Sequence, residues 1–340
     1  MKKTCTIEDV ARLAGVSRTT VSSYLNQHWK NMSAETRAKI ERVVRETNYS
    51  PSSGARNLRL KRSDTVAVIS WNMIGQVSFR FIQGACQALE EAGYNAMVFL
   101  TGEDPVKEKN CLARCLSNRL DGIILAPAAD DIAFYDSVRN QVPMVLARRQ
   151  VRGWDWDTVL FDEQGAMNSL ADHLFEQGFT KSAFVTDIGP TNPRIRFNKL
   201  ARCMYFSDAL ILRGCQPPAV YNDAANVLLC QKAIRDFMDK YPTDKKVIMT
   251  ANVPTLINVI ESVQALKINV PFELGVCGYM APEWGRILHP SVTCIQQPYE
   301  KVGRAAVEML LRRIRNPSAP VEKRLIPLQI ELRQSTLLKS

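Results

Sequence analysis

The sequence predicts an α/β protein with a small helical domain at its N-terminus, followed by two doubly wound parallel-sheet subdomains. Two observations support this prediction. Within the first 50 residues, apolar side chains repeat at helical spacing and basic residues are concentrated. After residue 63, short apolar runs alternate with amphipathic segments of a dozen or more residues, the spacing of parallel strands and their crossover helices. The pattern continues for roughly 275 residues, more than one such domain comfortably holds.

The first predicted helix begins after Thr6. Apolar residues recur at i, i+3, i+4 and i+7 between Ile7 and Ala14, which places them on one helical face. Thr6 with Asp9 three residues later predicts a capping box. Gly15 then permits the turn into the next helix.

Two further helices complete the small domain. Ser17 and Ser33 are their predicted N-caps. The predicted inward residues are Val21, Tyr24 and Leu25 in the second helix and Thr36, Ile40, Val43 and Val44 in the third. The three helices are expected to share one core.

The outer face of the second helix carries polar side chains that can reach base edges or phosphates, namely Arg18, Thr19, Ser22 and Asn26. The alternative is an ordinary solvated face of a three-helix bundle. The charge distribution favours DNA, because residues 1–63 contain 13 Lys and Arg against 5 Asp and Glu, a net +8 of the chain's +10. Such a basic block is typical of phosphate binding.

The segment AGVSRTTVS, with NYSPSSGARNL downstream, resembles the helix-turn-helix headpiece of the LacI/GalR family of transcription regulators. The resemblance covers residues 6–60 and, more loosely, the rest of the chain. It implies a homodimer whose paired headpieces bind a pseudo-palindromic operator on double-stranded DNA. The headpiece contacts that it implies are Thr6, Ser17, Arg18, Thr19, Thr20, Ser22, Ser23 and Asn26. Arg18, Thr19 and Ser23 occupy the base-discriminating positions, and Ser23 stands where arginine is common in the family.

Residues 51–60 resemble the hinge helix of the same family. Gly54 weakens a helix by about 1 kcal/mol relative to alanine, and a helix of ten residues is marginal alone. We therefore expect this segment to become ordered only on DNA, where Ala55, Arg56 and Leu58 contact the minor groove. Leu58 is the predicted wedge between base pairs. The alternative is that Leu58 is an isolated apolar residue in a linker.

The family resemblance also implies a domain division. Residues 1–50 form the headpiece, 51–63 the hinge helix and linker, and 64–340 a periplasmic-binding-protein-like core for effector binding and dimerisation. Within that core, the N-subdomain is expected to comprise 64–162 plus 296–326, and the C-subdomain 163–295 plus 327–340. The chain ends without a leucine heptad extension, which favours a dimer over a tetramer.

Apolar runs predict the strands of the core at 65–70, 94–100, 121–126, 143–147, 158–162, 182–187, 247–251 and 274–278. Ligands of such folds bind at the carboxyl ends of the strands. The candidate effector-binding residues at or near these ends are Trp71, Ser78, Phe79, Arg80, Arg148, Asp162, Arg196, Arg202, Asn252 and Tyr279. By resemblance, Arg202 aligns with the effector arginine of the family, although Tyr205 replaces the glycine usual three residues later.

The expected effector is an anion, a phosphosugar or a sugar acid. Family members that sense neutral sugars place carboxylates in patterns such as LxDR, AND and GxDD, which here read LARR, ANV and GYMA. One of those positions has become Arg148, and guanidinium groups bind phosphate or carboxylate through paired hydrogen bonds. The alternative is that these arginines are solvated or paired with Asp155, Asp157 or Glu283. Residues 146–166 and 27–31 resemble the trehalose, fructose and sucrose branch of the family.

Other chemistry finds little support in the sequence. The nine cysteines are scattered and the three histidines do not cluster, so we expect no metal site, no catalytic site and no cofactor. Phosphate-binding and nucleophile-elbow motifs are absent. The N-terminus lacks an apolar signal and no run of 18 apolar residues occurs, so we expect no membrane contact and a cytoplasmic, nucleoid-associated bacterial protein.

The sequence therefore predicts a DNA-binding transcriptional regulator, a repressor of a carbohydrate-utilisation operon controlled by a small carbohydrate-derived effector. Two alternatives stay open. One is an effector-independent DNA-binding dimer or global regulator that has lost sugar binding. The other is an α/β enzyme with a DNA-binding head, for which no catalytic constellation is visible.

Overall fold

The computed structural model of the chain describes residues 5–29, 32–49, 62–71, 76–129, 131–187, 193–280 and 282–338. The chain divides into a smaller unit, Met1–Asp64, and a larger unit, Thr65–Ser340. The predicted hinge helix, with Ala55, Arg56 and Leu58, lies outside the described residues.

The smaller unit consists of α1 (Ile7–Ala14), α2 (Arg18–Leu25) and α3 (Ala34–Thr47). The predicted capping box at the start of α1 is confirmed. Thr6 Oγ1 accepts a hydrogen bond from the backbone N–H of Asp9 at 3.3 Å, and the Asp9 carboxylate accepts one from the backbone N–H of Thr6 at 3.1 Å. Gly15 ends the helix in the left-handed region, with φ 65°, where glycine has no Cβ penalty.

The core of the smaller unit follows from the helical spacing. Its buried residues are Val10, Ala11, Ala14, Val21, Ile40 and Val43, with Tyr24, Leu25 and Val44 partly buried against them. Ser17 and Ser33 cap α2 and α3 as predicted. The prediction for Thr36 was wrong in part, because its hydroxyl accepts a hydrogen bond from Ser33 at 2.9 Å in the capping turn of α3.

The larger unit contains twelve strands among its described residues. They are β1 (Thr65–Ser70), β2 (Asn95–Leu100), β3 (Gly122–Leu125), β4 (Met144–Ala147), β5 (Thr158–Asp162), β6 (Lys181–Val185), β7 (Ala219–Tyr221), β8 (Lys246–Thr250), β9 (Gly275–Tyr279), β10 (Thr293–Gln296), β11 (Lys323–Pro327) and β12 (Gln329–Glu331). The helices are α4 (Gln76–Glu91), α5 (Pro105–Ser117), α6 (Asp136–Arg139), α7 (Glu163–Gln177), α8 (Pro193–Ile211), α9 (Val227–Lys240), α10 (Val253–Ala265), α11 (Pro282–Ile287) and α12 (Tyr299–Arg315). Single 3₁₀ turns cover Ile132–Tyr135 and Gln334–Thr336.

The strands form two sheets of six. The first has the order β11-β5-β4-β3-β1-β2 and the second β12-β10-β9-β8-β6-β7. All described pairings are parallel except that of β12 with β10. The chain passes from the first sheet to the second after β5, returns after β10 and passes again between β11 and β12.

Each sheet has a core on both faces, as expected for a doubly wound fold. In β1, Val68 belongs to one buried cluster and Ile69 to another on the opposite face. In β6, Phe184 and Val185 divide in the same way. The period of two in a strand accounts for this alternation, and burial on both faces accounts for the continuous apolar runs in the sequence. The predicted fold class is confirmed.

Two elements of the larger unit are joined through a buried carboxylate. Asp157 is fully buried. It accepts hydrogen bonds from Arg312 and Arg313 on α12, the shortest at 2.8 Å, and from the backbone N–H of Glu322 at 2.8 Å. Since all these groups lie at the opposite end of β5 from Asp162, Asp157 anchors α12 and β11 rather than the strand ends where a ligand is expected.

Candidate functional site

The candidate DNA-binding face lies on α2. Ser17, Arg18, Thr19 and Asn26 are exposed, and Thr20, Ser22 and Ser23 are half-buried. Their polar atoms are partly engaged within the helix: the Ser17 hydroxyl lies 2.6 Å from that of Thr19 and 2.8 Å from that of Thr20, and Asn26 donates to the Ser22 carbonyl at 2.7 Å.

Arg18 makes an ion pair with Glu8 of α1 at 2.9 Å, with side chains 71% and 59% exposed. An ion pair this exposed stabilises a protein by at most about 1 kcal/mol, so Arg18 can exchange Glu8 for another partner at little cost. Thr6 is also exposed, but its hydroxyl is bound to Asp9 at 2.8 Å. The predicted headpiece residues therefore lie on α2 and at its two caps, except Thr6, which caps α1.

The candidate effector site is built from the carboxyl ends of strands in both sheets. Trp71 follows β1, Arg148 follows β4, Asn252 follows β8 and Tyr279 ends β9. Arg202 projects from α8 and reaches the end of β8, where it donates to the carbonyl of Ala251 at 2.7 Å. With Asp162, which ends β5, five of the predicted residues lie at strand ends, and Arg202 reaches one.

Arg148 is the most unusual of these residues. Its φ is 74°, a left-handed conformation that is uncommon for an arginine. The guanidinium carbon lies 4.1 Å from the ring centroid of Trp71, 4.9 Å from that of Tyr299 and 5.6 Å from that of Phe81. Burial among these rings lowers the pKa of Arg148 to about 10, which still leaves a cation at neutral pH. Its Nε and Nη1 are buried and have no hydrogen-bond partner among the described residues.

The neighbouring Arg149 stacks on the same tryptophan. Its guanidinium carbon lies 3.8 Å from the Trp71 centroid, and its Nη2 lies 3.5 Å from a carboxylate oxygen of Glu103. Trp71 donates its indole N–H to the carbonyl of Pro127 at 3.3 Å. The ring is therefore held by the segment after β3 and contacts two cations, an arrangement that cation–π attraction stabilises.

Arg202 is neutralised within the protein. It donates to Glu163 at 2.8 Å and its guanidinium carbon lies 3.9 Å from the centroid of the Tyr279 ring. Burial alone lowers the pKa of Arg202, but the charges of Glu163 and Tyr279 outweigh it and raise the pKa above its usual value. Burial likewise raises the pKa of Tyr279 well above its ordinary range, so Tyr279 remains a hydrogen-bond donor.

Glu163 is the central acceptor of the site, and the sequence did not identify it. Besides Arg202, it accepts hydrogen bonds from the Tyr279 hydroxyl and from Nε2 of Gln297 at 3.2 Å. The hydroxyl of Tyr299 in turn donates to Gln297, and Tyr299 lies against Arg148. A continuous series of polar contacts therefore links the end of β4 in the first sheet to α7 and β9 of the second.

A second acceptor, Asp187, lies just after β6. It accepts hydrogen bonds from Lys199, from Nδ2 of Asn252 at 2.8 Å and from the Thr255 hydroxyl at 3.2 Å. Burial on its own raises the pKa of Asp187, but the hydrogen bonds from Lys199 and Asn252 more than offset it and the pKa is lowered. Asp187 is therefore an ionised carboxylate at neutral pH.

Two predicted site residues have a structural role at the helix that follows their strand. Asp162 accepts a hydrogen bond from the backbone N–H of Gly165 at 2.9 Å and caps α7. Asn252 accepts from the backbone N–H of Thr255 at 2.9 Å and caps α10, while its Nδ2 faces Asp187. A polar residue at a strand end is also a residue at a helix start, so the sequence pattern did not separate the two roles.

The remaining predicted residues lie on α4 and α8. Ser78 is buried, Phe79 is half exposed, and Arg80 pairs with Glu283 of α11 at 2.9 Å. The backbone of Arg196 is in α8, and its side chain lies outside the described part of the structure.

The sequence left open the alternative that the arginines pair with Asp155, Asp157 or Glu283, and this alternative is correct for one arginine. Arg80 has Glu283 as its partner. Asp155 instead lies near Arg139, at 3.6 Å, and Asp157 binds Arg312 and Arg313. The three family patterns lack their carboxylates in this chain, but Glu163 and Asp187 supply carboxylates to the site from other positions.

The described residues contain neither a membrane-spanning helix nor a cluster of metal ligands. No helix there is both long and apolar enough to span a bilayer. Nor does any group of three or more His, Cys, Asp or Glu side chains in those ranges have the arrangement of a metal site.

Comparison with known proteins identifies relatives that extend over nearly the whole chain. The regulator KdgR of Bacillus subtilis is 27% identical over 315 residues, covering 91% of each chain. PtxS of Pseudomonas aeruginosa is 26% identical over 332 residues, covering 97% of this chain and 95% of its own. The ribose operon repressor of Escherichia coli is 25% identical over 330 residues, covering 96% of this chain and 98% of its own.

Solved structures share the fold. The lac repressor dimer bound to operator and the anti-inducer ONPF superposes with a TM-score of 0.82 at 21% identity, covering 98% of this chain and 100% of that chain. The complex of the regulator CelR with cellobiose has a TM-score of 0.65 at 22% identity, covering 97% and 99%.

Two family profiles match the chain in the order of its two units. The profile of the bacterial regulatory proteins of the lacI family matches residues 6–52, and that of a periplasmic binding protein-like domain matches residues 171–336. Together with the relatives above, these matches make the chain similar to the LacI family of transcriptional regulators, a family of DNA-binding proteins rather than enzymes.

Proposed function

We propose that the protein represses a carbohydrate-utilisation operon by binding a pseudo-palindromic operator as a homodimer, under the control of a carbohydrate-derived anion. The names of related proteins support the class of function, since one is a ribose operon repressor and another was crystallised as a dimer on its operator. The basic N-terminal segment supports DNA as the partner, because most of the chain's net charge lies there.

DNA recognition is assigned to α2 and to the hinge segment. Arg18, Thr19 and Ser23 face base edges of the major groove, where bidentate contacts discriminate bases. Leu58 enters the minor groove and unstacks a base step. Two headpieces related by a two-fold axis then require an operator with matching symmetry.

The observation that carries the effector proposal is the buried guanidinium of Arg148. It lies at a strand end, more than nine-tenths buried, with two nitrogens that no described residue binds. A buried cation is costly unless an anion or hydrogen-bond acceptors accompany it. A phosphosugar or a sugar acid would supply the anion, and its hydroxyls would meet the carboxylates of Glu163 and Asp187.

The branch of the family is a separate question. The resemblance to trehalose, fructose and sucrose repressors rests on two short tracts, 27–31 and 146–166. Because the relatives reported above carry other names, they do not support that branch, and the proposal does not depend on it.

Control of DNA binding is assigned to the contacts that cross between the two sheets. Tyr299 and Gln297 connect Arg148 to Glu163, and Arg80 pairs with Glu283 across the same gap. An effector that binds Arg148 and Glu163 together favours one relative orientation of the subdomains over another. Its differential affinity for the two orientations then shifts the folding of the hinge and hence operator affinity.

The test begins with selection of an operator from random duplexes by the full-length protein, followed by footprinting. Operator affinity is then measured with and without neutral sugars, sugar phosphates and sugar acids. We expect one palindromic footprint and a change in affinity with at least one anionic compound. Leu58→Ala should reduce operator affinity much more than non-specific affinity.

Three results would contradict the proposal. Operator binding that no compound alters would favour the effector-independent DNA-binding dimer. Turnover of a compound would favour an enzyme. A response to neutral sugars alone would refute the anionic effector.

A further inference from the structure

We infer that the effector is a sugar acid with a single carboxylate, which Arg148 binds, rather than a phosphosugar. The inference rests on the proposed role of the site in effector binding and specifies the chemistry that the site selects.

The described cations of the site are already paired, with one exception. The pairs are Arg202 with Glu163, Lys199 with Asp187, Arg149 with Glu103 and Arg80 with Glu283. Arg148 forms no ion pair within 4.0 Å with any described residue; the nearby Glu103 is the partner of Arg149. Arg148 is therefore the one described cation of the site that has no partner carboxylate, which matches a monoanion.

The surroundings of Arg148 disfavour a second negative charge. The rings of Trp71, Tyr299 and Phe81 surround its guanidinium, and 8% of the residue is exposed. Charges attract strongly in such a poorly solvated place, but each charge that is left without a counter-charge is costly. One carboxylate neutralises Arg148, whereas a phosphate dianion would bring a second charge that no described cation is free to match.

The acceptors of the site also suit a carboxylate with hydroxyl groups on the adjoining carbons. Glu163 and Asp187 are hydrogen-bond acceptors at the strand ends of the second sheet, and Nδ2 of Asn252 is a donor beside Asp187. Hydroxyl groups can donate to such carboxylates. In a bound polyhydroxy acid, the carboxylate would therefore contact Arg148, and the hydroxyl groups would donate to Glu163 and Asp187.

The backbone of Arg148 has an uncommon conformation that positions its side chain in the site. Its φ of 74° lies in a region that arginine rarely adopts, and its N–H donates to the carbonyl of Val159 at 2.9 Å. Conformations of this kind persist where the surrounding structure over-determines them, often at ligand sites. At Arg148, this backbone conformation directs the side chain towards the three rings, so the charge is in place before the ligand binds.

Calorimetry on the full-length protein tests the inference with matched compounds: gluconate, galactonate and glucuronate, then glucose 6-phosphate and galactose 6-phosphate, then glucose and galactose. We expect at least one acid to bind about tenfold or more tighter than the phosphate and the neutral sugar of the same series. Arg148→Gln should weaken that binding by about tenfold or more. Arg148→Lys, which keeps the charge, should retain part of it.

Arg304→Gln serves as the matched control, because Arg304 lies on α12 and pairs with Glu91 at 2.6 Å, away from the strand ends. Its acid binding should equal that of the unmodified protein. The inference is overturned if a phosphate binds more tightly than every acid, if only neutral sugars bind, or if no acid binds. It is also overturned if Arg148→Gln, Arg148→Lys and the unmodified protein bind the acid equally well. Operator affinity is measured with the same compounds. A change of operator affinity with a phosphosugar would refute this inference and agree with the proposed function, whereas no change with any compound would refute the inference and the proposed function together.

Discussion

The guanidinium of Arg202 donates two hydrogen bonds to one carboxylate oxygen of Glu163, from Nε at 3.2 Å and from Nη2 at 2.8 Å. The two side chains are 14% and 17% exposed. Arg202 comes from α8 and Glu163 from the start of α7, so the pair fixes two helices at the strand ends of the second sheet. The charge of the arginine is therefore compensated by the protein itself.

Removing one partner of this pair should destabilise the larger unit. Glu163→Ala leaves Arg202 buried without a counter-charge, so we expect its free energy of unfolding to fall by about 3 kcal/mol, measured by urea unfolding. The double variant Glu163→Ala/Arg202→Met removes the uncompensated charge and should lose less than the single variant. Equal losses in the two proteins would contradict the proposed pairing.

The site was predictable in part from the sequence. Arg148 and Tyr279 could be found because each directly follows or ends an apolar strand, and the fold determines that strand ends carry ligands. Glu163 also directly follows a predicted strand, β5, but its position alone did not distinguish it from the start of an ordinary helix. Its role depends on Arg202, Tyr279 and Gln297, which approach it only in the folded chain.

The strands were likewise predictable from the sequence only in part. β1 and β5 were predicted to the residue because both are continuous apolar runs with clear ends. β11 was not predicted, since its burial alternates between exposed and half-buried and it begins with Lys323 and Arg324. Its pairing with β5 joins residues more than 160 positions apart, and no local pattern carries that information.

The stability of the second sheet should depend on pH through His173. This residue of α7 is buried, and its Nε2 lies 2.8 Å from the hydroxyl of Thr336. Burial lowers the pKa of His173 below its usual value of 6.5, despite opposing contributions from Glu176 and Thr336. The unfolded chain therefore takes up the proton first as the pH falls, and stability present above about pH 6.5 is lost below it.

The measurement for His173 is a comparison of two proteins. Urea unfolding at pH 7.5 and pH 5.5 should show a smaller loss on acidification for His173→Gln than for the unmodified protein, because glutamine keeps a polar group without titrating. Carboxylates common to both proteins cancel in the difference. Equal losses would show that His173 does not contribute to the pH dependence.

The packing of α4 on α12 should tolerate no added methyl group at Gly84. A Cβ there would clash with the backbone carbonyl of Glu300, and one on Gly303 would clash with that of Phe81. Since backbone atoms must move to admit it, Gly84→Ala should lower the free energy of unfolding by about 1–3 kcal/mol. Gln87→Ala, on the exposed side of α4, should change it by less than about 0.5 kcal/mol. A Gly84→Ala protein as stable as the control would refute this account.

Base recognition by α2 should depend on Arg18. Its exposed pair with Glu8 is exchanged cheaply for a base contact, so Arg18→Ala should relax the preference at one position of each operator half-site, by about 1–3 kcal/mol for a bidentate contact. Competition between the selected operator and single-base variants gives this preference directly. Arg45→Ala, which removes an arginine paired with Glu41 near the end of α3, should leave the base preference unchanged even where electrostatic attraction falls. If Arg18→Ala weakens binding to all sequences equally, Arg18 contacts phosphate and the specificity of α2 comes from its other polar side chains.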